Sequence, residues 1–409
     1  MMWPTKEWSV AARESGAWRP VPFQQFSLKL HGWCNLACDY CYVYEMADQS
    51  WRDRPRKMDS ATVERAAFRI AEHVAAHDIE YVNVVFHGGE PLLAGREAVA
   101  HAVRSIRAAL PSVTDHSFRL QTNGTLLTGE VLDMLLAEGI AVGVSLDGDA
   151  QAHDRHRRHA GGRGSHAEVT AGLRRLCAEP YRELFSHLYC VVDVANDPVR
   201  VYESLLEFEP PVVDFLLPDG TWSAPPPLRA AGSEATPYAD WLIAVFERWY
   251  GAPRQETRVR FFESIIQLVL GGQSRVDSVG LSPNVLVVVE TDGTIEQVDT
   301  LKSGYQGAAG TGLNVFDHPF DRALEHPGMA ARQAGAAALC ETCLSCPVAR
   351  VCGGGYYAHR YGEGTGYLNP SVYCPDLFKL VTHIRDRVQA DLRLRGSGIL
   401  MNAAPDLSS

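Results

Sequence analysis

The chain has 409 residues, 46% hydrophobic and 21% charged, with a formal net charge of −11. This composition is that of an ordinary globular protein, and the length allows two domains, or one large barrel with a smaller module. The negative charge and the lack of a basic stripe exclude binding to a nucleic-acid backbone. With no run of eighteen apolar residues and no signal peptide, we expect a cytoplasmic protein without a membrane segment.

Strand and helix patterns alternate through the first half of the chain. Strands are predicted at 24–31, 81–87, 117–122, 140–146, 186–194 and 212–217. Apolar residues at helical spacing predict helices at 60–76, 96–110, 128–138, 166–178 and 198–207. This alternation is typical of parallel βαβ units, and six of them make a partial TIM-like barrel of α/β class. Catalytic groups are then expected at the C-terminal ends of the strands.

The pattern changes after about residue 218. A Pro-rich linker is followed by predicted helices at 237–250 and 258–270, and residues 284–299 predict a β-hairpin. Five cysteines lie beyond residue 339, and a final helix is predicted at 375–395. We therefore divide the chain into an irregular segment (1–21), a barrel (22–220), bridging helices (221–275), a cysteine-rich domain (276–395) and a flexible tail (396–409).

Three cysteines follow the first predicted strand, at Cys34, Cys38 and Cys41. In a reducing cytosol, clustered cysteines indicate metal binding or catalysis rather than disulfides. Three thiolates are one too few for a closed zinc site or a fully ligated iron–sulfur cube. The spacing therefore predicts a cluster with one iron open to a small molecule. Chance clustering of buried cysteines is the alternative, and three within eight residues argue against it.

Polar motifs also end the next three predicted strands. They are His87-Gly-Gly-Glu-Pro91, Gln121-Thr-Asn-Gly124 and Ser145-Leu-Asp-Gly148. The two glycines before Glu90 let the backbone approach a ligand closely, although a Gly-rich turn that only closes a βα loop has the same pattern. The agreement between these motifs and the strand ends is stronger evidence than any one of them.

Together these residues resemble the radical S-adenosylmethionine (SAM) superfamily, with the Cys-x3-Cys-x2-Cys loop and an aromatic residue before its last cysteine. The resemblance implies a [4Fe–4S] cluster on the three cysteines, whose open iron binds SAM and yields a 5′-deoxyadenosyl radical. It also implies an external electron donor such as a flavodoxin or ferredoxin. The residues implied to contact SAM are Tyr40 at the adenine, Gly88, Gly89 and Glu90 at the methionine amino group, Gln121 and Asn123 nearby, Ser145 at the methionine or ribose, and Arg157 at the carboxylate. For Arg157, a solvated surface arginine is the alternative.

A second cysteine set lies near the C-terminus, at Cys343, Cys346, Cys352 and Cys374. Four thiolates suit zinc or a complete iron–sulfur cluster. The spacing resembles the SPASM extension of peptide-modifying radical SAM enzymes, which implies an auxiliary [4Fe–4S] cluster. Ligands for a second auxiliary cluster are missing, because the chain has Gln297-Val298 and Gly355-Tyr356 at the usual positions. Cys340 is then either a substitute ligand or a plain loop cysteine.

Further segments resemble the FxsB-type maturases, at 23–31, 41–51, 296–303 and 352–361. This resemblance implies an enzyme that crosslinks a ribosomally made precursor peptide, joining an aromatic ring to the β-carbon of a nearby residue as a cyclophane. Asp299 matches a catalytic aspartate of sulfatase-maturing relatives and is predicted to remove a proton, with a solvated turn aspartate as the alternative.

Two other functions stay open from the sequence. One is an anaerobic sulfatase-type maturase that forms formylglycine by the same cofactor chemistry. The other, of a different class, is a structural zinc-binding protein that uses both cysteine groups.

Overall fold

A computed structural model of the chain describes residues 19–229, 233–274 and 276–394. The predicted segment 1–21 falls mostly outside these residues, and the predicted tail 396–409 falls wholly outside them. One sheet of ten strands runs through the described residues. Its strands are β1 (Gln25–His31), β2 (Tyr81–Gly88), β3 (Asp115–Thr122), β4 (Ile140–Ser145), β5 (Phe185–Val191), β6 (Val212–Leu216), β7 (Arg258–Val259), β8 (Leu286–Val289), β9 (Thr294–Glu296) and β10 (Gly310–Asn314).

Helices follow the strands in the order that the sequence predicts. Those of the barrel are α1 (Ser60–Ala76), α2 (Arg96–Ala109), α3 (Gly129–Glu138), α4 (Ala150–His156), α5 (His166–Leu176) and α6 (Pro198–Leu206). The remaining helices are α7 (Pro237–Tyr250), α8 (Arg260–Val269), α9 (Phe320–Leu324), α10 (Pro327–Gln333), α11 (Glu341–Leu344), α12 (Ala349–Cys352) and α13 (Cys374–Leu394). Of these, α4 and the short helices α9 to α12 had not been predicted.

The sheet is mostly parallel, with strand order β10-β9-β8-β1-β2-β3-β4-β5-β6-β7. Strand β1 lies inside it and pairs in parallel with β2 on one side and β8 on the other, so that Phe26 is opposite both Val84 and Val287. Phe26 and Leu28 are fully buried, as expected for a parallel strand covered by helices. The predicted α/β class with a partial barrel is confirmed.

The hairpin β8–β9 was assigned from the sequence to the cysteine-rich segment. In the structure β8 extends the barrel sheet instead, since its backbone bonds to β1. This pairing brings the polar end of the hairpin beside the C-terminal end of β1, where the cysteine loop begins.

The C-terminal helix α13 is attached to the bridging helix α7 by one buried carboxylate. Asp376 accepts hydrogen bonds at 3.0 Å from the backbone N–H groups of Tyr238 and Ala239, in the first turn of α7. It also pairs with Arg229 at 3.4 Å. A carboxylate at a helix N-terminus satisfies otherwise unpaired donors and interacts favourably with the helix dipole. Within the described residues, no helix has the length and apolar character needed to cross a membrane.

Candidate functional site

The cysteine loop is held against the glycine motif that ends β2. The backbone N–H of Gly89 donates to His31 O at 2.9 Å, and that of Glu90 donates to Trp33 O at 3.0 Å. A Cβ on Gly89 would lie 2.5 Å from the Trp33 carbonyl. Glycine is therefore required there for the close approach of the two loops, independently of any ligand.

The three cysteines of this loop form one partly buried group. The backbone N–H of Leu36 and the side-chain amide of Asn123 approach Cys34 Sγ at 3.4 and 3.5 Å. Burial raises the pKa of Cys34 to about 12 and that of Cys41 to about 11, and each also interacts electrostatically with Cys38. Because burial disfavours the bare thiolates, the group needs a bound cation to ionise, which fits the predicted iron–sulfur cluster.

Glu90 is fully buried and joins the end of β3 to the glycine motif. Its carboxyl oxygens accept hydrogen bonds from the backbone N–H groups of Leu92 (3.1 Å) and Asn123 (2.8 Å) and from Thr122 Oγ1 (2.8 Å). Burial raises its pKa to about 7 against these donors. Glu90 therefore has a structural role here, and its contact with the SAM amino group stays a prediction.

Arg157 lies in the site rather than in solvent. Its Nη1 donates to Tyr40 Oη at 2.8 Å, and Tyr40 in turn donates to Asp147. Arg157 also acts to lower the pKa of Cys38, against the larger effect of burial, so its charge lies near the cluster loop. Its Nε is buried without a hydrogen-bond partner among the described residues. A buried guanidinium N–H with no partner fits the predicted contact with a carboxylate.

Gln121 and Ser145 face one another at the ends of β3 and β4. Gln121 Nε2 donates to Ser145 Oγ at 3.0 Å, and Gln121 Oε1 lies 2.9 Å from His187 Nε2. Asn123 instead bonds to the cysteine loop, through Asn35 Oδ1 at 2.9 Å. The structure thus brings every predicted SAM-contact residue to the same end of the sheet, while the contacts themselves stay predictions.

Six charges meet between β1 and the hairpin, five of them buried and the sixth, Arg54, partly buried. The cations are Lys29, Arg54 and Lys302, and the anions are Glu290, Glu296 and Asp299. We call this set the six-charge network. Each of its carboxylates has a cation within 3.0 Å, and the three charges of each sign balance. This balance stabilises the fold, because removal of one partner leaves an unpaired charge in a low-dielectric interior. Such a charge lowers the free energy of unfolding by about 3–5 kcal/mol.

Asp299 lies between the two lysines of the network. Lys29 Nζ and Lys302 Nζ approach its Oδ1 at 2.8 and 3.3 Å. Burial acts to raise the pKa of Asp299, but the two lysines outweigh it, so the pKa lies below its usual value and the carboxylate is ionised. The charge of Asp299 acts to raise the pKa of His87 at the end of β2 and that of Tyr42 in the cysteine loop. The alternative of a solvated turn aspartate is wrong, because Asp299 is 8% exposed.

Sequence reasoning missed Lys29, Lys302 and Tyr42. One signal was present for Lys29, which lies between Leu28 and Leu30 in a strand that is buried on both faces. For Lys302, the ion pairs with Glu290, Glu296 and Asp299 form only when the hairpin and the turn after it are folded, and the sequence pattern does not show that these side chains are buried.

The C-terminal thiols lie together as a second group, with Cys340 beside the four predicted ligands. Cys340 precedes α11 and contacts the thiol of Cys343, whose pKa burial raises to about 12. Cys374 interacts electrostatically with both Cys346 and Cys340. Cys352 interacts with Cys374 and Cys346. Cys340 is therefore part of the group and not an isolated loop cysteine. Cys190, by contrast, is a core residue.

The comparison with known families matches one part of the chain. The family model of the radical SAM superfamily matches residues 28–200, which include the end of β1, the cysteine loop and β2 to β5. Radical SAM proteins bind SAM and [4Fe–4S] clusters, which confirms the predicted kinds of cofactor, while the number of auxiliary clusters stays a prediction.

Two curated relatives and two solved structures are similar to this chain. The chain is 26% identical to the serine-type anaerobic sulfatase-maturating enzyme of Klebsiella aerogenes over 87% of this chain and 84% of that one. It is 24% identical to the cysteine-type enzyme of Clostridium perfringens (strain 13 / Type A) over 65% and 71%. Among solved structures, anSMEcpe with bound AdoMet superposes with a TM-score of 0.77 at 21% identity, covering 90% of this chain and 99% of that chain. SuiB of Streptococcus suis bound to its precursor peptide SuiA gives 0.57 at 13% identity, covering 89% and 78%.

The prediction of a cyclophane-forming enzyme is wrong as the main function. The curated relatives that align over 65–87% of the chain include sulfatase-maturating enzymes of both the serine and the cysteine type. The finer resemblance to the FxsB-type group is not confirmed.

We predict different outcomes for two neighbouring cysteines. Cys343→Ala should remove the iron of one [4Fe–4S] cluster, because Cys343 belongs to the predicted four-thiolate set. Cys340→Ala should retain that iron, because Cys340 lies outside the predicted ligand set of Cys343, Cys346, Cys352 and Cys374. Iron and acid-labile sulfide per chain, measured after anaerobic reconstitution, compare the two variants. Equal iron loss in both would make Cys340 a ligand and contradict the predicted set.

Proposed function

We propose that this protein is a maturase that oxidises a serine or cysteine side chain of a peptide or protein substrate to formylglycine. The observation that carries the proposal is the similarity to sulfatase-maturating enzymes, which extends over 87% of the chain and so includes the C-terminal cysteine group as well as the barrel. The buried carboxylate of Asp299 beside the cysteine loop supplies the acid–base group that such an oxidation requires.

Conversion of a serine CH2–OH group to an aldehyde removes one hydrogen atom, one proton and one electron. The same loss from a cysteine CH2–SH group gives a thioaldehyde, which water then hydrolyses to the aldehyde with release of hydrogen sulfide. When bound, SAM and the iron–sulfur clusters supply the hydrogen-atom abstraction and accept the electron. An external donor such as a flavodoxin or ferredoxin is proposed to supply the reducing electron that starts the reaction. The chain's own residues position the substrate carbon, exclude water from the radical and accept the proton.

Asp299 is placed to take that proton. Both lysines form ion pairs with its Oδ1, at 2.8 and 3.3 Å, and this buried oxygen has no hydrogen-bond partner among the described residues. The carboxylate is therefore ionised and able to accept a hydrogen bond from the substrate hydroxyl or thiol. A base held within hydrogen-bond reach typically contributes about 10²–10⁴-fold in rate.

The other residues of the site are proposed to hold the cofactors. Cys34, Cys38 and Cys41 would hold the SAM-binding cluster, and the C-terminal set would hold one auxiliary cluster. Arg157, with its unpartnered Nε, would bind the SAM carboxylate. The predicted roles of Tyr40, Gly88, Gly89, Glu90, Gln121, Asn123 and Ser145 in binding SAM are part of the same proposal.

The product can be identified directly. Anaerobically reconstituted protein is incubated with SAM, dithionite and a peptide that contains the modified serine of a sulfatase, or its cysteine counterpart. We expect an aldehyde that reacts with a hydrazide, at the position of that residue, with fragment ions intact on both sides. Loss of two hydrogens without hydrazide reactivity, together with missing fragment ions between two residues, would indicate a crosslink and contradict the proposal.

The proton-acceptor role is tested by two charge-matched variants. Asp299→Asn and Glu296→Gln each remove one negative charge from the six-charge network, so both should destabilise the fold to a similar extent. We expect Asp299→Asn to lower the rate of formylglycine formation about a hundredfold or more, and Glu296→Gln to lower it far less. Melting temperature and iron content show that both variants are folded and loaded. Equal activities of the two variants would remove Asp299 as the base.

A further inference from the structure

A cavity of about 50 Å³ lies between the hairpin, α10 and the loop after α12. One buried water needs roughly 10–15 Å³ on this scale, so the cavity has room for a small molecule of a few atoms. Asp277 and Ser282 line it and are exposed, which places them at its mouth. The cavity is therefore open to small solutes from solvent.

The inner wall of the cavity contains a buried arginine without a counter-ion. Arg332 is 8% exposed, and both its Nη1 and Nη2 are buried with no hydrogen-bond partner among the described residues. Nor does it form an ion pair with any of those residues, although it interacts electrostatically with Asp277. A guanidinium is always charged in proteins, and its N–H groups are costly to bury unpaired.

The charge balance of the cavity wall points to an anion. Its charged residues are Arg332, Arg360 and Asp277, so the wall has one net positive charge. Arg360 is already satisfied by backbone carbonyls, with bonds of 3.1 Å to Gly354 O and 3.0 Å to Gly355 O. Arg332 is thus the group left to bind a ligand.

The same cavity contains the positions where a second auxiliary cluster would need cysteines. Val298 and Tyr356 both line it, and none of its lining residues is a cysteine. This wall therefore offers no thiolate ligand for iron, and the guanidinium cation of Arg332 lies there instead.

We propose that this cavity is a binding site for a small carboxylate, held by the two free Nη groups of Arg332. A guanidinium fork matches the two oxygens of a carboxylate in a bidentate pair, which a chloride ion or a water cannot reproduce. The carboxylate belongs either to a small free acid or to an acidic side chain of a peptide. The site is separate from the proposed function, because neither the cysteine loop nor Asp299 contributes to it.

The test is a calorimetric titration of the full-length, anaerobically reconstituted protein. One arm uses sodium acetate, and the other uses N-acetylglutamic acid N-methylamide, with ionic strength held constant by the bulky sulfonate HEPES. We expect saturable binding of acetate at one site. Binding of acetate alone assigns the site to a free acid, and binding of both probes in competition assigns it to a peptide side chain as well.

Arg332→Met should weaken acetate binding at least tenfold, whereas Arg322→Met, at a side chain 62% exposed, should leave it unchanged. Asp277→Asn provides a second variant at the exposed mouth, and removal of its negative charge should strengthen binding several-fold. Absence of saturable binding of either probe to the wild type would overturn the proposal. So would unchanged acetate affinity in folded Arg332→Met, or, if that variant does not fold, unchanged affinity in Asp277→Asn.

Discussion

The structure depends on the compensation of six charges between β1 and the hairpin, five of them buried and that of Arg54 partly buried. Segments far apart in the chain must meet for this compensation to exist, since Lys29 lies on β1, whereas Glu290 follows β8 and Asp299 and Lys302 lie in a short 3-10 helix after β9. Removal of one partner leaves a charge in the interior, with a cost of about 3–5 kcal/mol. The network therefore makes the register of β8 against β1 specific, beyond the contribution of its apolar residues.

This constraint also couples the two parts of the active site. The cysteine loop follows β1 directly, and Asp299 is held to β1 through Lys29. One strand thus sets the positions of the cluster ligands and of the proposed proton acceptor. The charges of Asp299 and Cys41 both act to raise the pKa of Tyr42, beside the larger effect of burial. A substrate carbon that reaches the radical site would then also lie close to a carboxylate that is ionised at neutral pH.

Local patterns in the sequence were sufficient for the barrel elements and for the ligand groups. The helix at 60–76 was predictable because Val63, Ala67, Ile70 and Val74 repeat at helical spacing, and the structure has the same bounds. The cysteines of residues 34–41 were recognisable because all of them lie in one loop.

The missed features depend on contacts between distant segments. Parallel pairing of β8 with β1 joins residues about 260 positions apart, and no turn residue marks such a pairing. The place of Cys340 was left open by the sequence, because its contacts depend on the fold around α11.

The kind of product was mispredicted for a different reason. That prediction rested on a resemblance to one group of maturases, whereas a curated sulfatase-maturating enzyme aligns over 87% of the chain.

The central claim is that the lysines hold Asp299 as an ionised proton acceptor, and the pH dependence of formylglycine formation tests it most directly. The two lysines lower the pKa of Asp299 against the effect of burial, so loss of one should raise that pKa. Since the base must be deprotonated, Lys29→Met should move the acid limb of the rate profile to higher pH and regain activity as the pH rises. Lys29→Arg, which keeps the charge, should follow the wild type. An acid limb unchanged in folded, cluster-loaded Lys29→Met would contradict the account.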